Sequence, residues 1–314
     1  MVVMFLGTPQ FAVPTLRRLL DSAHSVAGVI TQPDRPRGRG QKITHAPVKA
    51  LAVERGIPVY QPDRLKPPEV ADALRAWNAD LGVVAAYGRI IPEHLLTIPQ
   101  FGMINVHASL LPKYRGAAPV HRAVISGDDQ TGVTIMRVVK ELDAGGMFAK
   151  VTRPIGPDET SDVVETALAE MGAQLLVAVV DQLASGTARE EPQDDTQATY
   201  APRLTKEEGL IDWTQAASAI HNRVRGLYPW PHAYTFFNGT RLIVLRSAVA
   251  TRTAGASASG PGTIRGATSE AIQVATGNGD LAILEVQPEG RRAMRVHDFL
   301  LGHRLAAGET FSDS

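Results

Sequence analysis

The sequence predicts a doubly wound α/β domain with a mostly parallel sheet, followed by a small β-barrel. Three observations carry this. Over residues 2–156, short and continuously apolar runs alternate with stretches of helical periodicity, as expected for strands covered by helices on both faces. Residues 186–208, GTAREEPQDDTQATYAPRLTKEE, are polar and without regular periodicity, which marks a linker. Beyond it, strand-like runs recur between turn signals. The expected division is therefore a first domain over 1–185, a linker over 186–208 and a second domain over 209–314. A chain of 314 residues, 44% hydrophobic, is long enough for two cores.

The elements follow in order. VVMFL reads as the first strand, residues 11–21 as a helix, SVAGVIT as a strand and residues 46–55 as a helix. DLGVVAA and GMINVH are further buried strands, TGVTIMRVV is another, and a helix fills residues 160–184. In the second domain a helix is expected around residues 213–225, then the strands AYTFF, RLIVL, AIQVA and LAILEV. Turn signals separate them: NG at 238–239, PG at 261–262 and GNGD at 277–280. Residues 251–262, rich in Gly, Ala and Ser, read as a loop tip without an assigned function, and no internal repeat occurs.

Composition narrows the chemistry. Lys plus Arg equals Asp plus Glu at 32 each, so a polyanionic partner must be met by local clusters of charge. The absence of cysteine removes disulfides, thiolate nucleophiles, iron–sulfur clusters and cysteine zinc sites, and is compatible with a reducing compartment. The apolar start MVVMFLG lacks a positive leader and cleavage site, and no apolar run is expected to cross a bilayer; the cytoplasm is the expected location. No long heptad pattern or interface stripe is present, so a monomer is expected.

The stretch NVHASLLPKYRG, residues 105–116, places an amide and an imidazole two residues apart at the end of an apolar run. In a strand, residues i and i+2 share a face, so Asn105 and His107 aim at one small volume where the backbone turns through Ser109 and Pro112. An amide donor beside an imidazole suits a carbonyl oxygen that becomes negative during attack, and one such donor is worth about 3 kcal/mol. Asp143 is placed to accept a hydrogen bond from the imidazole and orient it, which together points to acyl-type transfer to an amine. On spacing alone, capping of loop backbone is the commoner role for such a pair. A His–Asp metal site is the weaker alternative, because no third ligand stands at a recognisable spacing.

NVHASLLPKYRGAAPV, followed by LDAGG at 142–146, resembles the formyltransferase family that uses 10-formyltetrahydrofolate. The resemblance implies a Rossmann-like formyltransferase domain and an OB-like barrel. It makes Asn105, His107 and Asp143 the catalytic set and Ser109, Leu110, Leu111 and Pro112 the tetrahydrofolate contact, with no metal. AAYGRIIP, residues 85–92, resembles the segment lining the pteridine pocket, which adds Tyr87, Gly88 and Ile90; a buried strand-to-helix turn is its equally plausible plain reading.

The family leaves the acceptor open among a nucleotide amine, a sugar amine, an aminoacyl-tRNA and water. FLGTPQF holds one glycine where a dinucleotide fingerprint needs G-x-G-x-x-G, and it lacks a glycine-and-serine phosphate loop for glycinamide ribonucleotide. GTPxF is similar to the loop of formyltransferases acting on methionyl-tRNA. Residues 33–49 carry Arg35, Arg37, Arg39, Lys42 and Lys49 against Asp34 alone, a basic loop too rich in Pro and Gly to be a helix. QPDRPxGRG resembles the insertion that distinguishes the tRNA enzymes. By that resemblance Arg39 enters the acceptor arm of initiator methionyl-tRNA, with Lys42 and Arg37 beside it.

The resemblance continues through IDW at 211–213, YPWPHAY at 228–234 and IQVATGNG at 272–279, which makes the second domain the tRNA-binding one. Yet from residue 209 onward ten arginines face eight acidic residues, so that domain is not broadly basic; Lys206 in the linker is a candidate, as are Trp230 for base stacking and the Arg291, Arg292, Arg295 cluster, whose commoner readings are a packing residue and a solvated surface. Two other classes compete. One is a sugar-amine formyltransferase or formyltetrahydrofolate hydrolase with the same catalytic set. The other is a non-catalytic RNA-binding protein.

Overall fold

The computed structural model describes residues 1–37, 42–250 and 260–313, with the backbone course alone for 35–37 and 42–44. The chain divides into two compact units: one of Met1–Pro119, Gln130–Arg153 and Glu165–Ala201, the other of Val120–Asp129, Pro154–Val164 and Pro202–Ser314.

The first unit holds β1 (Val2–Gly7), β2 (Ser25–Ile30), β3 (Arg35–Arg37), β4 (Lys42–Thr44), β5 (Val59–Tyr60), β6 (Leu81–Ala85), β7 (Met103–His107), β8 (Arg115–Gly116), β9 (Gln130–Arg137), β10 (Met147–Pro154) and β11 (Tyr200–Ala201). Seven of them form one sheet in the order β10-β9-β7-β6-β1-β2-β5. The pairs β1–β2, β1–β6, β6–β7 and β2–β5 are parallel, and β7–β9 is antiparallel. Strand order reverses direction between β1 and β6, so the carboxyl ends of β1, β6 and β7 border the crevice where such sheets take ligands. The near-continuous burial of β1 and β6 explains their unbroken apolar runs.

Helices Val13–Leu20, Pro47–Glu54 and Pro68–Arg75 each open with proline in the first turn, where its missing N–H leaves no intrahelical bond unmade. The helix Ser161–Ser185 is 25 residues long and apolar enough by length and composition to cross a bilayer, contrary to the expectation that no such run exists. Its physical role is visible in its packing. Leu168, Ala173, Leu176 and Val180 are fully buried, and Gly172 lies so close to the sheet that a Cβ there would stand 2.8 Å from a methyl of Val106 on β7. The face it lays on the sheet is therefore the apolar stripe of a core helix.

The polar segment expected as a linker is divided. Residues up to Ala201 belong to the first unit and those from Pro202 to the second, with β11 pairing in parallel with β8. Lack of periodicity signals lack of a regular element; it carries no information on tertiary hydrogen bonds. The basic loop also differs from an irregular one, since β3 and β4 form an antiparallel ribbon with Arg37 opposite Lys42.

The second unit is built on β12 (Ala233–Phe237), β13 (Thr240–Ala250), β14 (Ile264–Ala267), β15 (Ile272–Ala275), β16 (Asp280–Pro288) and β17 (Met294–Arg295). The sheet order is β12-β13-β16-β15-β14, antiparallel throughout, with β17 on β16. The C-terminal tail joins its two edges: Ser312 pairs with Phe236 on β12 and Thr310 with Thr263 just before β14, making the sheet a small barrel. Its core gathers Trp213, Val244, Ile272, Leu281, Ile283 and Phe311. Residues 251–259, expected as part of a loop tip, lie outside the described residues.

Candidate active site

The proposed catalytic residues are assembled by β7 and the loop between β9 and β10. Asn105 pairs with Val84 of β6 and Met136 of β9, and is half-buried. Its side-chain amide makes no hydrogen bond to another described residue. An amide held in a strand with its donors uncommitted is available to a ligand.

His107, at the end of β7, is 5% exposed. Its Nε2 lies 3.0 Å from the carbonyl of Tyr114 and donates to it, so the Nδ1 edge is turned toward Asp143, whose Oδ2 is 3.7 Å away. That separation is too long for a hydrogen bond and short enough for electrostatic coupling. The orienting partner of the imidazole is thus the Tyr114 carbonyl, where the sequence reading gave that task to Asp143. Asp143 Oδ2 accepts from the backbone N–H of Gly116 at 2.8 Å. Both backbones here are left-handed, with φ of 62° at Tyr114 and 48° at Asp143. Such conformations cost on the order of 1–3 kcal/mol and persist where surrounding contacts hold them.

The SLLP turn follows directly. Ser109 is fully buried and its Oγ donates to the Lys113 carbonyl at 2.6 Å, closing the turn rather than facing outward. Thr134 Oγ1 donates to the Ser109 carbonyl at 2.8 Å and accepts from the Leu111 N–H, while Lys150 Nζ donates to the Leu111 carbonyl at 2.7 Å. Leu111 packs with Met136 and Met147, leaving Leu110 and Pro112 half-buried at the turn. Thr134 and Lys150 were not singled out by the sequence. Thr134 is brought there by the pairing of β9 with β7 and Lys150 by its place on β10, and neither is visible in local periodicity.

Beyond β6, Tyr87 is buried in the apolar cluster that includes Met4, Leu6, Ile30 and Leu95, and among the described residues its hydroxyl has no hydrogen-bond partner. Burial raises its pKa above the usual phenol range; the Arg89 charge opposes this weakly. The Tyr87 carbonyl accepts from Gln32 Nε2 at 2.8 Å. Gly88 adopts φ 79°, and Ile90 is 87% exposed.

Gln32 leads to the base of the basic ribbon. Asp34, just before β3, accepts from Lys49 Nζ at 2.6 Å and pairs with His45, just after β4, at 2.9 Å. Gln61 Nε2 donates to the Gln32 carbonyl at 2.9 Å and to Asp34 at 3.2 Å. Burial works to raise the Asp34 pKa, but the bonds from Lys49, His45 and Gln61 outweigh it and hold the carboxyl well below its usual range. Arg39 lies outside the described residues, and for Arg37 and Lys42 the backbone alone is described.

In the second unit, Lys206 is exposed just before the short helical turn Glu207–Gly209. Trp230 is half exposed, and Arg291, Arg292 and Arg295 are exposed. Among the described residues, no group of three or more His, Asp or Glu side chains is placed to hold a metal ion.

With this geometry in place, comparison with known proteins is informative. Residues 1–180 match the family described as Formyl transferase, and residues 203–304 match Formyl transferase, C-terminal domain. The chain is 48% identical over 306 residues to the methionyl-tRNA formyltransferase of Trichlorobacter lovleyi, covering 98% of this chain and 95% of that one. It is 47% identical over 313 residues to that of Solibacter usitatus, covering 100% and 99%. Among solved structures, WlaRD, a sugar 3N-formyl transferase crystallised with dTDP and 5-N-formyl-THF, aligns with a TM-score of 0.67 at 16% identity, covering 93% of this chain and 99% of that one. HypX from Aquifex aeolicus in complex with tetrahydrofolic acid aligns with a TM-score of 0.62 at 17% identity, covering 98% of this chain and 50% of that one. At those identities the likeness is one of fold.

Proposed function

The chain belongs to the formyl transferase family, and from that premise we propose that it transfers the formyl group of 10-formyltetrahydrofolate to the α-amine of methionyl-tRNA, giving formyl-methionyl-tRNA for translation initiation. The observation that carries the chemistry is the uncommitted amide of Asn105 on one strand with His107, whose Nδ1 stands 3.7 Å from Asp143. The arrangement fits a formyl group: one amide N–H₂ donor and one imidazole edge, itself a donor when the ring carries a proton on both nitrogens, at a strand end beside an apolar turn formed by Leu110, Leu111 and Pro112.

When bound, the folate supplies an activated formyl carbon on a nitrogen able to leave. Asn105 donates to the formyl oxygen and strengthens that bond as the oxygen gains negative charge. His107, fixed through Nε2, presents its Nδ1 edge to the same centre. Asp143 accepts the proton shed by the attacking amine, directly or through water, and returns it to the leaving nitrogen. A strong base is not required, because free α-amines titrate near about 8 and an ester neighbour lowers this further. Leu110, Pro112, Gly88 and Ile90 are assigned to the folate side, while Ser109, Leu111 and Tyr87, turned inward, shape the turn and wall from behind; Arg37, Arg39, Lys42 and Lys206 are assigned to tRNA. The protein acts as a monomer, which sedimentation of the purified chain would test, and in the cytoplasm, which fractionation of cells would test.

The direct test is formyl transfer from 10-formyltetrahydrofolate to methionine-charged initiator tRNA, beside a control without tRNA that scores formate. Formyl-methionyl-tRNA formed only with charged tRNA is the expected result. Formate released independently of tRNA would move the protein to the hydrolase reading.

A further inference from the structure

We propose that Gln193 is a positioning residue for Asp143, and that residues 187–201 are a working part of the catalytic apparatus; this rests on the role given to Asp143 above. Gln193 Nε2 donates to the carbonyl of Asp143 at 2.8 Å and to that of Gly145 at 2.8 Å. Its Oε1 accepts from Arg115 Nε at 3.1 Å and Nη2 at 2.8 Å. All of the hydrogen-bonding capacity of one side-chain amide is thus spent on the segments that carry Asp143 and its Gly116 contact.

The orientation of that amide is dictated by its neighbour. A guanidinium has five donors and no acceptor, so Gln193 must offer its oxygen to Arg115. The N–H₂ then has one direction left, onto the two carbonyls of the DAGG turn. Arg115 is 4% exposed and itself held: Nη2 also bonds Asp195 at 2.6 Å, and its backbone N–H donates to the Thr199 carbonyl at 2.8 Å. A buried, locked guanidinium aims the amide, and the amide holds the turn.

The turn needs holding. Asp143 has a left-handed backbone at φ 48°, and a Cβ on Gly145 would stand 2.0 Å from the Arg137 carbonyl, so the chain is folded tightly on the end of β9. Three further contacts anchor the same strap, two at the ends of that loop and one beside Gly116. Glu191 and Met147 exchange backbone hydrogen bonds at 2.7 and 2.9 Å, Glu190 pairs with Arg137 at 2.7 Å, and the Ala201 carbonyl accepts from Ala117 N–H at 2.8 Å. A plain tether would need none of these.

The test compares the full-length protein with Gln193→Glu, Asp143→Ala and the double variant, in formyl transfer to methionyl-tRNA. Gln193→Glu keeps an acceptor for Arg115 and replaces both N–H donors to the turn by an oxygen, and a Tm equal to that of the wild type checks that the fold is retained. The expected result is a loss of kcat on the order of tenfold to a hundredfold, the scale of a misplacement near 1 Å, with both KM values unchanged. In the Asp143→Ala background, read by single turnover, the same change should cost nothing further, because Gln193 acts through Asp143. Wild-type kcat in Gln193→Glu, or an equal loss in both backgrounds, overturns the positioning role. Unchanged kcat in Asp143→Ala alone overturns the role of Asp143 and this inference with it, which separates the two failures.

Discussion

Asn105 and His107 show how a small difference in hydrogen bonding separates two tasks on one strand. Asn105 is half-buried with its amide uncommitted among the described residues, whereas His107 is buried and tied to the Tyr114 carbonyl. Replacing Asn105 with Ala should therefore leave folding intact and lower kcat by about 10²–10³-fold, with little change in either KM, as steady-state kinetics would measure. Tyr87 presents the opposite case, a buried hydroxyl without a partner among the described residues. Tyr87→Phe should raise stability by about 1 kcal/mol, read as an increase in Tm, because the desolvation of an unpaired hydroxyl is removed. Both residues stand in stretches that carried the resemblance, NVHASLLP and AAYGRIIP. Their individual environments were not legible there, since burial and partners come from neighbours far away in the chain.

At the scale of elements, two devices hold the ends of secondary structure together. Asp34 clasps the ribbon β3–β4 by joining Lys49 and His45, and its carboxyl titrates well below the ordinary range once folded. A depressed carboxyl pKa contributes stability that is fully present above the unfolded value near about 4 and is lost as pH falls through that range toward the folded value. Asp34→Ala should cost about 1–3 kcal/mol at neutral pH, the difference from wild type shrinking below pH 4, as thermal melts across pH would record. The barrel edge is the second device. Phe311 is buried in the tail that pairs with both β12 and the start of β14, stacking on Trp213 at 5.7 Å and meeting Phe237 edge-on at 5.6 Å. Phe311→Ala should destabilise the second unit by about 3–5 kcal/mol, measurable by denaturant unfolding. The barrel strands were readable from alternation and turn signals; the closing tail was not, because three residues are too short to show a period.

For the whole molecule, equal numbers of acidic and basic residues mean that attraction to RNA must come from local charge. If Arg37, Arg39 and Lys42 neutralise phosphates, kcat/KM for methionyl-tRNA should fall with a log–log salt slope of about −2 to −3 while the KM for the folate donor stays constant. A flat response would remove the ribbon from tRNA binding.

The architecture and the catalytic candidates were legible in the chain itself. Apolar runs with alternating periods announce a doubly wound sheet, because strands covered on both faces must be apolar along their length. The Asn-x-His pair announces a shared face, because side chains alternate across a strand. Tertiary structure alone decided what orients these groups. The Tyr114 carbonyl holds His107 from seven residues away, and Gln193 holds Asp143 from a polar segment fifty residues beyond it. Hydrogen bonds of that kind need only one correctly placed atom, so they leave no period, no composition and no spacing by which a sequence could declare them.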